Sequence, residues 1–519
     1  MLPDKITKNF KEISKFFVEN FDNSASTIFT VLDTLKLNDK SLCLSTNYNA
    51  KYSQAVKFVL ILLMPFFCIR NVANYCKSKL YSKIDCGKDT LYRFKKDNSV
   101  DFRKINFRIA KKLRKRIVEG TDGNSKLPEC LIIDDTELEK TGCRFELLGK
   151  IFSHVTHSYI LGYKLLSLIY NDGKSILGLD FSVHGEPGKN GDYGMTKAQK
   201  KKQYSKKDRE KTERVAEYKK PKPESAMEML KRAFKHGFKA KYVLADSWFC
   251  SIELIRFVIK TLKINFLGMA KHGNTKYSYN GKLLTINDLI AKRRDTRTSR
   301  QYNCKYIRRD VVFKGTPVTL FCIRLTKKGK WRTIITTDRD LDFERAMEIY
   351  AMRWSIEVFF KECKQHLLLN NCQSVDFDVQ IADITFSFIR FNILSTILRK
   401  QKYDTMGGLF EEITKDTLEL TINERIILFI KDLVENIKEQ LYNCKNTLLV
   451  DLDVDNQLVR NLIKLEWLDY QRVMTLAKVL LINFRETAKS PFIFLHCASY
   501  LRLFDALFYQ LLGKINCSS

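Results

Sequence analysis

The chain has 519 residues, of which 90 are lysine or arginine and 59 aspartate or glutamate, for a formal net charge of +31. That length exceeds what one ordinary core fills, so a main domain with flanking modules is expected. Hydrophobic residues make up 45% and aromatic residues 12%, which excludes a disordered polymer.

So large a positive charge attracts polyanions, and nucleic acid is the commonest of these for a soluble protein. A basic surface that serves only solubility or ribosome association is the alternative. The 14 cysteines are scattered singly, with neither CxxC pairs nor zinc-module spacing, so they read as reduced thiols. The opening residues alternate charged with apolar groups and build no secretory h-region. The apolar run Phe58 to Ile69 contains Pro65 and is shorter than the roughly 20 residues of a spanning helix. It reads as a buried helix, and the expectation is a cytoplasmic protein without a membrane partner, nucleoid-associated when bound to DNA.

Residues 1–125 carry helical apolar spacing and few strand signals. Within them, residues 71–98 read as two short helices joined around Gly87, the second carrying Lys88, Tyr92, Arg93, Lys95 and Lys96. This layout suits a helix-turn-helix whose Arg93 and Lys96 contact DNA, or equally a basic surface helix.

From Cys130 the texture turns to strands. "CLIIDDTEL" is followed by two β-rich runs flanking the turn Asn171-Asp172-Gly173, a hairpin signal. A lysine-rich stretch, residues 197–222, reads as a solvated loop or exposed helix able to meet DNA backbone. Helix, strand, helix and strand then alternate through "ESAMEMLKRAFKHG", "KYVLADSWF", "SIELIRFVIKTL" and "INFLGMAK", indicating an α/β sheet covered on both faces. Residues 272–330 resume β texture and read as an inserted β-rich subdomain. They precede the strand "WRTIITTD" and the long helix "DFERAMEIYAMRWSIEVFFKECKQHL". Beyond Leu369 the pattern is helical. The expected division is residues 1–125, 126–403 with the insertion, and 404–519, the last a helical region suited to dimerisation.

Three carboxylates stand out by position: Asp134 and Asp246 end apolar strand runs, and Glu357 lies within the long helix. Metal-assisted phosphodiester chemistry needs converging carboxylates, because Mg²⁺ prefers oxygen ligands and must hold attacking and leaving oxygens in line. On a straight helix Tyr350, Arg353, Glu357 and Lys364 fall within a stripe about 60° wide. Such a face joins a metal-binding carboxylate to cations and a phenol that can grip phosphate. A solvated helix laced by i,i+4 pairs such as Arg353 with Glu357 is the competing reading.

The helix reads Y-x2-R-x3-E-x6-K. It resembles the YREK motif of a group of DDE transposases from bacterial insertion sequences. "LIIDDTELEKTG" and "YVLADSWF" resemble the first and second aspartate motifs of that group. The likeness spans residues 128 to 400, with the motifs in order and an insertion between the second and third acids.

The resemblance implies an α/β fold with an RNase H-like core and Asp134, Asp246 and Glu357 as catalytic, metal-binding acids for two Mg²⁺ or Mn²⁺ ions. It further implies Tyr350, Arg353 and Lys364 as DNA contacts, cut-and-paste transposition through a hairpin at the element end, and a homodimer pairing terminal inverted repeats before attack on target DNA. Spacing to Thr136 selects Asp134, while a one-residue shift would select Asp135. A catalytically silent DNA-binding protein and another RNase H-like nuclease are the alternatives. His154 and His157 read as structural or surface groups, Trp248 and Trp354 as core residues or supports of the site. The base-stacking aromatic of such relatives remains open among Tyr277, Tyr279 and Tyr302.

Overall fold

The computed structural model describes residues 31–413 apart from 33–34, 46–49, 79–80, 82–84, 120–125, 189–190, 196–212, 292–294, 327 and 401–404. The chain divides into two compact units, residues 1–425 and 426–519, and every described residue belongs to the first. The helical region expected over 404–519 therefore lies outside the described residues, except for 405–413.

Twelve strands form one sheet. Its heart is five of them: β1 (Cys130–Glu139), β3 (Ser158–Asn171), β4 (Ile176–His184), β5 (Tyr242–Ala245) and β6 (Asn265–Ala270). They lie in the order β4-β3-β1-β5-β6, with β3 antiparallel to both neighbours and β1, β5 and β6 mutually parallel. This is the mixed sheet of an RNase H-like core. β2 (Gly149–Ser153) pairs with the start of β3. The β3–β4 hairpin turns where expected: Asn171 accepts from the Gly173 amide, and Gly173 takes φ 86°, a conformation glycine adopts without cost.

Apolar residues on both faces of the parallel strands demand cover on both sides. Cys130, Ile132, Tyr242 and Leu244 enter one core, together with Ile349, Ile356 and Phe359 of the C-terminal helices. Leu131, Ile133, Val243 and Ala245 enter the other, with Met229, Leu230, Ile252 and Ile255.

The segment expected as an inserted β-rich subdomain continues the core sheet. Strand β12 (Arg332–Thr336) pairs antiparallel with β6, and β11 (Thr316–Arg324), β10 (Cys304–Phe313), β7 (Lys276–Tyr279) and β8 (Lys282–Thr285) follow outward, with β9 (Arg297–Ser299) beside β10. The insertion thus prolongs the core sheet.

Among the described residues the N-terminal part is helical. Helix α1 (Gln54–Leu63) is capped by Ser53 and runs into a 3₁₀ turn, Met64–Phe67, that admits Pro65. This buried run is the apolar segment of the sequence. Helix α2 (Lys88–Lys96) follows Gly87, and the helix expected before it is a single turn, Val72–Tyr75. Helix α3 (Phe102–Glu119) packs on β4.

Of the lysine-rich stretch expected as a solvated loop or exposed helix, residues 197–212 lie outside the described residues. Its end forms helix α4 (Glu213–Lys219), which packs on β4 with Glu217 and Tyr218 buried. Arg103 of α3 binds Asp180 of β4 at 2.9 Å, Glu213 at 2.6 Å and Glu217 at 2.6 Å, and Arg232 of helix α5 (Lys222–Lys235) binds Asp180 at 2.7 Å. A counter-charged interior holds these residues, so they do not form a solvated loop.

Helix α6 (Ile252–Phe257) follows β5. The long helix expected after β12 is two: α7 (Phe343–Ala351) and α8 (Ser355–Gln365), joined by a 3₁₀ turn at Met352–Trp354. Helix α9 (Phe377–Lys400) is long and apolar enough to cross a membrane, with mean hydropathy 1.4, but 89% of that window is buried in the fold. A helix apolar all round is a core helix when protein surrounds it.

Candidate active site

Register brings the first two acids together. Ile133 of β1 pairs with Ala245 of β5 at the end of their parallel ladder, so Asp134, within β1, and Asp246, directly after β5, both come next beyond that pairing. Alternation then decides between the neighbouring aspartates, because successive strand residues face opposite ways. Asp134 follows Cys130 and Ile132 onto the face covered by α7 and α8, whereas Asp135 follows Leu131 and Ile133 onto the face covered by α5.

Their partners agree. Arg353 Nη1 lies 3.1 Å from Asp134 Oδ2, while Lys222 Nζ lies 2.8 Å from Asp135 Oδ2. Asp246 is fixed by its own backbone: Oδ1 accepts from the amides of Trp248 at 2.9 Å and Phe249 at 3.2 Å. Burial and the nearby Asp246 charge push the Asp134 carboxyl up to about 7, against the pull of Arg353, and burial also raises Asp246. Two acids crowded in a poorly solvated place favour protonation.

The helix face expected from the sequence is assembled, although the 3₁₀ turn breaks its straight phase. Arg353 Nη2 bonds Glu357 Oε1 at 2.6 Å, and the Arg353 guanidinium stands 6.0 Å from the Tyr350 ring centroid. Burial lifts the Tyr350 phenol to about 12, keeping it a proton donor. Lys364 Nζ bonds Thr136 Oγ1 at 2.8 Å. Thr136 shares the face of Asp134, so β1 presents Asp134 and Thr136 to Arg353 and Lys364 across the gap.

Arg93 and Lys96 are not brought to this site. Helix α2 packs against α9, where Lys95 binds Asp383 at 2.6 Å and Lys96 binds Asp376 at 2.9 Å. Arg93 and Lys96 line a cavity of about 380 Å³ bounded by Glu146 and Asp376. His154 and His157 lie exposed in the β2–β3 turn. Trp248 and Trp354 depart from the core placement: they are 48% and 61% exposed. Of the three tyrosines, Tyr277 is buried against Phe313, and Tyr302 packs edge-on to Phe343.

Sequence reasoning missed Lys222. Its ammonium lies 4.4 Å from the Trp248 ring centroid besides pairing with Asp135. A lysine closing a lysine-rich run carries no mark of its own, and the proline that signals the helix start is Pro223, after it.

The donor set fits a hard cation, since all three acids offer oxygen. Among the described residues no three acidic, histidine or cysteine side chains are already gathered around one point, and the Arg353 guanidinium lies between Asp134 and Glu357.

Residues 215–393 match the family model described as a transposase DDE domain, which covers Asp246 and Glu357. Residues 62–285 match that of a DDE superfamily endonuclease, which covers Asp134 and Asp246. No curated protein matches the chain. The two overlapping matches, over residues 215–393 and 62–285, together with the RNase H-like strand order support a DDE transposase.

Proposed function

We propose that this protein cuts DNA at the ends of an insertion sequence and joins the freed 3′ ends to target DNA, with Asp134, Asp246 and Glu357 as its catalytic acids. The observation that carries this reading is the adjacency of Asp134 and Asp246 just past the parallel pairing of β1 with β5, with Arg353 tying Asp134 to the helix of Glu357. Bound Mg²⁺ or Mn²⁺, two ions held by these acids, would polarise the phosphodiester and lower the pKa of water.

Arg353 and Lys364 neutralise phosphate oxygens, and the Tyr350 phenol donates to one. Thr136 orients Lys364. Lys222 neutralises Asp135 and keeps that carboxylate on the far face. The substrate is double-stranded DNA, bearing terminal inverted repeats in the first step and target sequence in the second. Two copies pair two ends, and residues beyond 404 supply contacts between them. Arg93 and Lys96 on α2 belong to a DNA-binding region over residues 1–125.

The test is cleavage of a duplex bearing the DNA that flanks the gene. Mg²⁺ or Mn²⁺ supports nicking, Ca²⁺ supports binding alone, and Asp246→Asn or Glu357→Gln abolishes nicking while retaining binding. Near-normal nicking by both variants overturns the assignment of the acids, and metal-independent binding without nicking by the wild type favours a silent DNA-binding protein.

A further inference from the structure

We propose that Arg353 is a latch coupling metal and DNA, holding Asp134 and Glu357 in the free protein and releasing them when a DNA phosphate takes its guanidinium. The proposal rests on the reading of the three acids as metal ligands.

The bridge uses two different nitrogens, Nη1 to Asp134 at 3.1 Å and Nη2 to Glu357 at 2.6 Å. One planar cation thereby spans the first and third acids, whose positions in sequence are far apart. The Arg353 and Asp134 side chains are each 16% exposed and that of Glu357 37%, so water replaces the Asp134 half of the bridge poorly, and stripping the cation from that carboxylate is costly. Asp246 stands outside the bridge, because Trp248 and Phe249 amides already orient it. The site thus has one preset ligand and two that a cation of the protein itself engages.

A divalent ion seated on Asp134 and Glu357 would face the guanidinium at close range, and like charges there repel. One of the two must leave. Arginine is suited to the exchange, since its donor fork fits phosphate as well as carboxylate. The exchange conserves charge: the guanidinium passes from two carboxylates to a phosphate, and the carboxylates pass to the ion. Trp354, next in the chain, is 61% exposed, which puts Arg353 at the open side that DNA approaches. Coupling of this kind is reciprocal, so DNA tightens metal binding by the factor by which metal tightens DNA binding.

Mn²⁺ binding followed by electron paramagnetic resonance tests the latch, using full-length protein with and without a duplex of the gene's flanking DNA. Asp246→Asn identifies the site as the class of ions it removes. In the wild type the duplex should tighten that class by about tenfold or more. In Arg353→Gln the ion should bind tightly without DNA and gain little from adding it. Arg353→Lys, which reaches one carboxylate at a time, should lie between and carries the test if the glutamine variant unfolds. Equal Mn²⁺ affinity with and without DNA in the wild type, or weaker DNA-free binding in Arg353→Gln, overturns the latch while leaving the acids as ligands. Absence of the Asp246-dependent class in every sample overturns the metal reading itself.

Discussion

Arg103 Nε lies 2.9 Å from Asp180 Oδ1 in the interior, their side chains 8% and 0% exposed. The pair ties helix α3 to strand β4, and Glu217 and Arg232 complete it from α4 and α5. Truncating one partner strands the other without compensation. Arg103→Ala should cost about 3–5 kcal/mol, read as a lower urea midpoint. A loss under about 1 kcal/mol, the size of a surface pair, would show the network to be replaceable.

Asp134 and Asp135 should separate cleanly in a nicking assay. Asp134→Ala should slow the reaction on the order of 10²–10³-fold or more, whereas Asp135→Ala, which frees Lys222 on the opposite face, should leave the rate nearly intact. The reverse ranking would mean that β1 is used one residue out of register.

Lys364 should act on DNA rather than on stability. If its ammonium turns from Thr136 to a phosphate, Lys364→Ala lowers the slope of log affinity against log salt by about 0.9. An unchanged slope with a slightly lower melting temperature would assign it to the Thr136 hydrogen bond alone.

His184 offers a pH test away from the acids. Burial, then the Lys222 charge, depresses its imidazole to about 4, against the hydrogen bond to the Lys220 carbonyl and the Asp135 charge. Its Nδ1 faces the Lys220 carbonyl at 3.1 Å and its Nε2 the Ser182 hydroxyl at 2.7 Å, a pattern satisfied by the neutral ring with the proton on Nδ1. The unfolded chain binds this proton near pH 6.5 and the folded one only near 4. Stability is therefore full above 6.5 and falls through that window by up to about 3 kcal/mol. His184→Asn should flatten that part of the stability profile. An unaltered slope would refute the assignment.

The strands that carry Asp134 and lead to Asp246 were legible because both faces of β1 and β5 are buried, so each writes a continuous apolar run that ends at its acid. The helix face was legible from offsets alone, since Arg353 and Glu357 are i,i+4 neighbours whatever precedes them. The 3₁₀ turn at Met352–Trp354 was not, because no proline or glycine marks it. Arg103, Asp180 and Glu217 were also invisible. Charged residues read as solvent-facing until folding places their partners, and these partners lie on four separate elements. The lysine count likewise hid both the burial of α4 and the position of Lys222.

The pairing of β12 with β6 also governs where this protein can change length. The chain reaches the helix of Glu357 only through a strand laddered to β6, itself laddered to the strand of Asp246. Residues added between β12 and α7 would displace the third acid relative to the second. The β10–β11 tip, where Lys314 and Gly315 turn at φ 45° and 82°, lies four strands from β5. Extra sequence there grows away from the acids, so lineages can lengthen or recode that hairpin while the spacing of the carboxylates stays constant.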